Sequence, residues 1–523
     1  MKIGGVFTLF HHSALRFGLA VLTVAILAEC VAILLINSGF FVYTLDDPYI
    51  HLALAENIVQ GHYGINAGEY AAPSSTILWP FILAPLAGSM LGAYVPLLIN
   101  ILAAIGTLVV FVRILERSTR DVNPGLRSNY ISLFAVLLLL ATNTIGLIFT
   151  GMEHSLQLFL CVTIVWGLIL EADEQKLTVW LPWAIVAAPL IRYECLTVSL
   201  VALVYLFTRG YYRHFALTTT AIVILVGGFS LFLVKLGLEP LPTSVLAKSS
   251  VVSSGGAAGS VLDNLKANLA HSRGAWLALA MLLCITLAFV SRRNARERLL
   301  AGAGAVAIGL HLLLGQHGWY NRYEIYIWTA AVLILVYIGR GWIARCLGNA
   351  TPVKATAAAT LWVLVIAAPY MYDLLTLPVA SSNIYEQHYQ MHRFAVDYYD
   401  GPVAVNDLGY VSYQNPDYVL DLGGLTSLEV LRLGGTGADA AWMNRVSAVR
   451  DVQLAMIYDR WFESLPANWR KVGELQLGRR QITASQTTVS FYALTDEAYA
   501  RAQGVIDAYR SSLPPGVTFR IAE

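Results

Sequence analysis

Long apolar runs separated by short polar clusters fill the first 375 positions of the chain. Eleven runs, at 17–41, 94–112, 128–149, 154–170, 177–190, 194–208, 215–235, 274–291, 299–315, 324–339 and 355–373, approach the ~20 residues a helix needs to cross a bilayer. The pattern predicts about eleven transmembrane helices. The first run is too long for the apolar core of a cleaved signal and reads as an uncleaved span. Residues 74–92 are also apolar, but Pro80 and Pro85 favour helices lying in the interface.

Beyond residue 375 the hydropathy falls. Strand-like runs at 402–407, 417–422, 453–458 and 488–494 alternate with helical patterns at 384–399, 437–449 and 495–511. Residues 376–523 therefore predict a soluble α/β domain after a membrane bundle spanning 1–375. The Gly- and Ser-rich stretch 251–260 reads as a flexible part of the loop between the seventh and eighth spans.

Charge orients this arrangement. With the N-terminus inside, the inner segments hold 16 Lys and Arg and the outer loops 6, and the first outer loop, 42–93, holds none. Counting 74–92 as a span would move Arg113, Arg117, Arg120 and Arg127 outside, against the positive-inside rule. The reading is a multi-pass protein of a bacterial inner membrane, N-terminus cytoplasmic and C-terminal domain periplasmic. Only 13% of residues are charged, against about 25% in soluble domains. A net charge of +1 gives no reason to expect a nucleic-acid partner, and the five cysteines show no metal or disulfide spacing.

The unusual polar clusters fall on the outer side: Asp46 and Asp47, then Glu153 and His154, Arg192 and Glu194, Lys248, and the run from His317 through Arg322 to Glu324. After the Asp pair, Ile50, Leu54 and Ile58 repeat at helical spacing, predicting an amphipathic surface helix. Pro48 suits its first turn, so Asp47 is the expected N-cap and Asp46 is left for chemistry. A carboxylate at a membrane face can take the proton of an attacking hydroxyl. A phosphate leaving group then needs only cations or helix N-termini. That combination suits transfer of a sugar from a lipid phosphate to a hydroxyl. Lys248, Arg192, Arg322 and His317 are the candidate phosphate binders. Local pairing with Glu194 and Glu324 competes for the two arginines, and a solvated loop lysine competes for Lys248. Glu153 and His154 also read as plain polar residues where a helix begins. No metal is required by this chemistry, although a divalent cation at Asp46 and Asp47 is compatible with it.

The segment from Asp46 to Trp79 resembles the first outer loop of GT-C superfamily membrane glycosyltransferases, in particular the bacterial arabinofuranosyltransferase-like group. The shared positions are Asp46, Asp47, Tyr49, Ile50, Gly61, Asn66, Gly68, Glu69, Ser74, Ser75 and Trp79. The segment ending in Lys248 is similar to an L-P-N-T-x-x-A-K element, with Thr243 where Asn is usual. Asp407, Gly409, Asp421, Gly424 and Leu425 match an element of the outer soluble domain. The resemblance implies a GT-C bundle with interfacial helices in the first loop and a polyprenyl-phosphate sugar as donor. It also implies a glycan or lipid acceptor, inversion at the sugar, and a first-loop Asp as base. Glu69, Trp79, Glu153, His154, Glu194, Glu324 and Asp407 are then expected to contact substrate. An envelope polysaccharide polymerase or ligase would call for arginine-rich outer loops. A secondary transporter would call for midplane charges and repeat symmetry, and Glu29 is nearly the only such charge.

Overall fold

The structure, a computed structural model, describes residues 13–249, 252, 258–289, 294–348, 352–434 and 440–522. Most of 251–260, expected to be flexible, lies outside these residues. The chain divides into two compact units. One comprises residues 1–28, 97–228 and 254–375, the other 29–96, 229–253 and 376–523.

All eleven expected spans coincide with helices, but not all are of spanning length. Among the described residues, eight helices are long and apolar enough to cross a membrane: Ser13–Ile36, Gly92–Ser118, Pro124–Ala141, His154–Glu174, Tyr212–Lys235, Ser272–Phe289, Ala295–Leu314 and Thr356–Tyr399. A ninth results if Ile325–Ile338 and Arg340–Leu347, bent by 64°, form one span. The expected spans 177–190 and 194–208 are the short helices Leu181–Ile191 and Tyr193–Thr208. Extended backbone at Arg192 (φ −152°, ψ 135°) separates them. Its guanidinium is engaged by Glu153 and Glu194, so a charge cluster interrupts what hydropathy alone reads as apolar. Residues 74–92 form only short pieces, Trp79–Leu83 and Ala84–Leu86 among them. Each begins on a proline-bearing first turn, which is why no long helix forms there.

In the second unit a six-stranded sheet has the order β2-β1-β3-β5-β4-β6. Its strands are β1 (Val403–Val405), β2 (Val419–Asp421), β3 (Leu454–Ile457), β4 (Arg470–Gln476), β5 (Thr488–Ala493) and β6 (Thr518–Ile521). β2, β1 and β3 are parallel, and the rest of the sheet is antiparallel. The three parallel strands are buried at every position, as strands covered on both faces must be. Trp442, Met443 and Val446 of the Ala441–Val449 helix pack with Ala404, Leu420, Ala455 and Trp469 in a common core. β1 lies between β2 and β3, so chain direction switches sides beside it. In open parallel sheets the carboxyl ends of strands at such a switch are where ligands bind. Asn406 and Asp407 follow β1 at this place, and Tyr458 follows β3.

Candidate active site

The Asp47–Val59 helix starts with Asp47 itself. Asp46 stands at the N-cap position with helical angles (φ −79°, ψ −35°) and makes no side-chain cap bond. The expected capping role of Asp47 is therefore corrected: Asp47 is the first residue of the helix, not its cap. The Asp46 carboxylate is bonded elsewhere. Its Oδ2 accepts the backbone N–H of Gly409 at 2.6 Å and its Oδ1 that of Tyr410 at 2.7 Å. Gly409 comes this close because it has no side chain: a Cβ there would lie 2.1 Å from the Asp46 carbonyl oxygen and 2.5 Å from Oδ2. Tyr410 completes the clamp by lying on Tyr49, with ring centroids 4.0 Å apart.

Asp46 is buried, 6% exposed. Burial pushes its carboxyl up to about 7, against the lowering charge of His388 and with a further rise from Asp407. The His388 Nε2 lies 3.0 Å from the Asp407 Oδ2 and 3.3 Å from the Tyr458 hydroxyl. Asp46, His388 and Asp407 thus offer atoms that all lie within 4.8 Å of one another. Two carboxylates and an imidazole form a donor set suited to a divalent cation. The His388 Nδ1, by contrast, is buried without a hydrogen-bond partner among the described residues. The partners of Asp46 in this group are His388 and Asp407, not Asp47. Sequence reasoning missed His388, which sits in a helical stretch and has no local signal.

Asp47 turns elsewhere. Its Oδ2 is 3.9 Å from the Lys248 Nζ, and its side chain is 18% exposed. Lys248 ends the short Thr243–Lys248 helix. That helix is fastened to the first loop by the Thr243 N–H on the Ala72 carbonyl at 3.1 Å and by Ser75 bonding Ser244 at 3.1 Å. Two motifs 200 residues apart in the chain are thereby folded into one carboxylate–ammonium pair. The lysine is neither isolated nor purely solvated.

Several other motif residues bond to the sheet and its turns. The Asn66 side chain donates to the Val419 carbonyl at 3.0 Å and accepts the Val419 N–H at 2.8 Å, occupying the free edge of β2. Glu69 accepts from Arg450 at 3.0 Å and from the Tyr418 hydroxyl. Asp421 accepts the N–H groups of Gly423, Gly424 and Thr426, shaping a turn in which Gly424 has a left-handed φ of +78°. Trp79 is fully buried. Asn66→Ala is expected to leave both buried backbone groups of Val419 without their partner, costing about 1–3 kcal/mol. Thermal unfolding in detergent should shift down while the KM for donor stays unchanged.

The other unit carries its own polar group. Arg192 is buried, donating to Glu153 at 2.5 Å and to both oxygens of Glu194 at 3.1 and 2.6 Å. The local pairing considered for Arg192 is thus observed, strengthened by Glu153. Arg322 donates to the Tyr323 hydroxyl at 3.3 Å, while Glu324 faces Arg273 at 3.4 Å and accepts the Gly318 N–H at 3.0 Å. Arg192 and Arg322 lie over the ring of Tyr323, at 5.7 and 5.1 Å, with His154 beside the same ring. The loop leading there runs left-handed from Gly318 through Trp319, Tyr320 and Asn321, a conformation that costs non-glycine residues about 1–3 kcal/mol each. His317 bonds Asn268 at 2.8 Å, and its ring packs with those of His271 and His311. Burial pushes it down to about 3, with the neighbouring His311, His271 and Arg273 lowering it further.

Comparison with known proteins adds the following. Residues 382–492, which include His388, Asp407 and Gly409, match a family described as "Domain of unknown function (DUF8728)". No curated protein matches the chain. Among solved structures, the apo oligosaccharyltransferase of Archaeoglobus fulgidus is 11% identical, covering 92% of this chain and 77% of that one, with a TM-score of 0.46. The same enzyme tethered with an acceptor peptide containing the NVT sequon via a disulfide bond is 12% identical, covering 92% and 74%, with a TM-score of 0.43.

Proposed function

We propose that this multi-pass membrane protein is a glycosyltransferase that moves a sugar from a polyprenyl-phosphate donor to a hydroxyl of a cell-envelope glycan or lipid. The observation that carries the reading is the pairing of Asp47 with Lys248 at the first loop. It puts a proton acceptor and a phosphate-seeking cation within one sugar's reach of each other. As the acceptor oxygen bonds to the anomeric carbon, its proton passes to the Asp47 carboxylate. The bond from that carbon to the phosphate oxygen breaks, and its electron pair leaves with the polyprenyl phosphate. Lys248 meets the charge that develops there. Attack opposite the departing phosphate inverts the sugar. A pKa near 7 would also suit Asp46 as a base, but geometry comes first. Both of its oxygens are held by backbone amides in a buried place, so Asp46 positions its neighbour.

Membranes containing the protein should consume undecaprenyl-phosphate-linked pentose or hexose probes and release the lipid phosphate. No consumption of either class, with an envelope fraction as acceptor, overturns the reading. Lys248→Ala is expected to raise the donor KM at least tenfold and leave the acceptor KM unaltered. An unchanged donor KM removes Lys248 from the phosphate site. The proposed location is the outer face of a bacterial inner membrane, resting on the distribution of Lys and Arg. A phosphatase reporter fused after Glu523 should be active. Activity of a reporter that works only in the cytoplasm reverses the orientation.

A further inference from the structure

A polar concavity lies in the other unit. A crevice of about 520 Å³ is lined by Arg113, Arg117, Arg120 and Arg127, together with Glu116, Ser128 and Trp166. It opens where the helices Gly92–Ser118 and Pro124–Ala141, both of membrane-spanning length, respectively end and begin. Its walls also include the apolar Ala14, Pro124 and Ile131.

The charges do not cancel within it. Arg117 is taken up by Asp173 at 2.7 Å and by Glu174, and its guanidinium lies 5.2 Å from the centre of the Trp166 ring. Arg113 faces Glu116 at 3.2 Å. Arg127 donates one nitrogen to the Glu116 backbone carbonyl at 2.6 Å, and its buried Nε has no partner among the described residues. Among the described residues neither Arg120 nor Arg127 pairs with a carboxylate, and Arg120 is exposed at the rim. The Pro124–Ala141 helix, capped by the Asn123 side chain on Gly125 N–H at 2.9 Å, points its N-terminus into the same space through Pro124, Arg127 and Ser128. A helix N-terminus and unneutralised guanidiniums both favour a phosphate. The volume is that of a small-ligand site, and apolar walls beside Trp166 suit a lipid's glycerol and first acyl carbons.

We propose that this crevice binds the phosphodiester headgroup of an anionic membrane phospholipid, with Arg120 and Arg127 as its principal ligands. Its occupancy is read without an activity assay. Purified full-length protein is delipidated and titrated with phosphatidylglycerol or with phosphatidylcholine in mixed micelles, following retained lipid by native mass spectrometry and the thermal midpoint. Phosphatidylglycerol should bind at least tenfold more tightly than phosphatidylcholine and raise the midpoint. The exposed-site variant Arg120→Ala, which leaves the helix contacts intact, should lose roughly tenfold in that affinity. Arg127→Lys should lose less than Arg127→Ala. Millimolar inorganic phosphate should fail to displace the lipid. Equal binding of the two lipids, or an Arg120→Ala affinity equal to the parent's, overturns the proposal. Full displacement by inorganic phosphate assigns the crevice to free phosphate and overturns the lipid assignment.

Discussion

Asp47→Asn is expected to lower sugar transfer by about 10²–10⁴-fold, the usual effect of removing a general base. The donor KM should change little, because the amide retains the shape and Lys248 retains its charge. Asp46→Asn should behave differently. It keeps one acceptor oxygen but turns an N–H₂ group toward a backbone N–H now bonded at 2.6 or 2.7 Å. Two donors then face each other, a defect of about 1–3 kcal/mol. Its signature is a lowered thermal midpoint and a modest loss of rate, largest near the midpoint. An inactive Asp46→Asn of normal stability beside a near-normal Asp47→Asn would return the base to Asp46.

Gly409→Ala should be severely damaging. The added carbon would lie 2.1 Å from a backbone oxygen of Asp46, which cannot rotate aside as a side-chain end can. Overpacking against fixed atoms costs about 1–3 kcal/mol or more, and here it also separates Asp46 from its two amides. Thermal unfolding should fall by several degrees and transfer should collapse with it. Gly504→Ala supplies the contrast. It lies within the Asp496–Ser511 helix with nothing within 4 Å of the added carbon, so it should stabilise by about 0.5–1 kcal/mol. Equal behaviour of the two variants would mean that the close approach at Gly409 is not maintained in solution.

The parts legible in the sequence were those governed by local pattern. β1, β2, β3 and β5 are short apolar runs, and each coincides with an expected strand. β4 and β6 were missed. β4 reads Arg-Lys-Val-Gly-Glu-Leu-Gln, with a register shift near Gly473 that spoils its alternation. β6 is a mostly exposed edge strand with one buried residue, Phe519. The helices at Leu181–Ile191 and Tyr193–Thr208 were found, but their failure to reach spanning length depends on a partner for Arg192, and hydropathy does not register partners. At the site, Asp46 and Asp47 were visible as a pair, yet their roles depend on amides 363 and 364 positions later. Local capping logic had no access to those bonds. His388 was invisible for the same reason: only the fold brings an imidazole and the Asp407 carboxylate to Asp46.

The clamp of Asn66 on Val419 has a consequence for how the chain is made. The two residues are 353 positions apart, so at about 5–20 residues per second the loop bearing Asn66 emerges about 20–70 s before its partner strand. Throughout that interval Asn66 and Glu69 have no sheet to fasten. The first loop consequently matures last, closed over by the final third of the polypeptide. Any nascent chain released before Gly409 is synthesised therefore carries Asp46 and Asp47 in an unassembled state, with no clamp on Asp46.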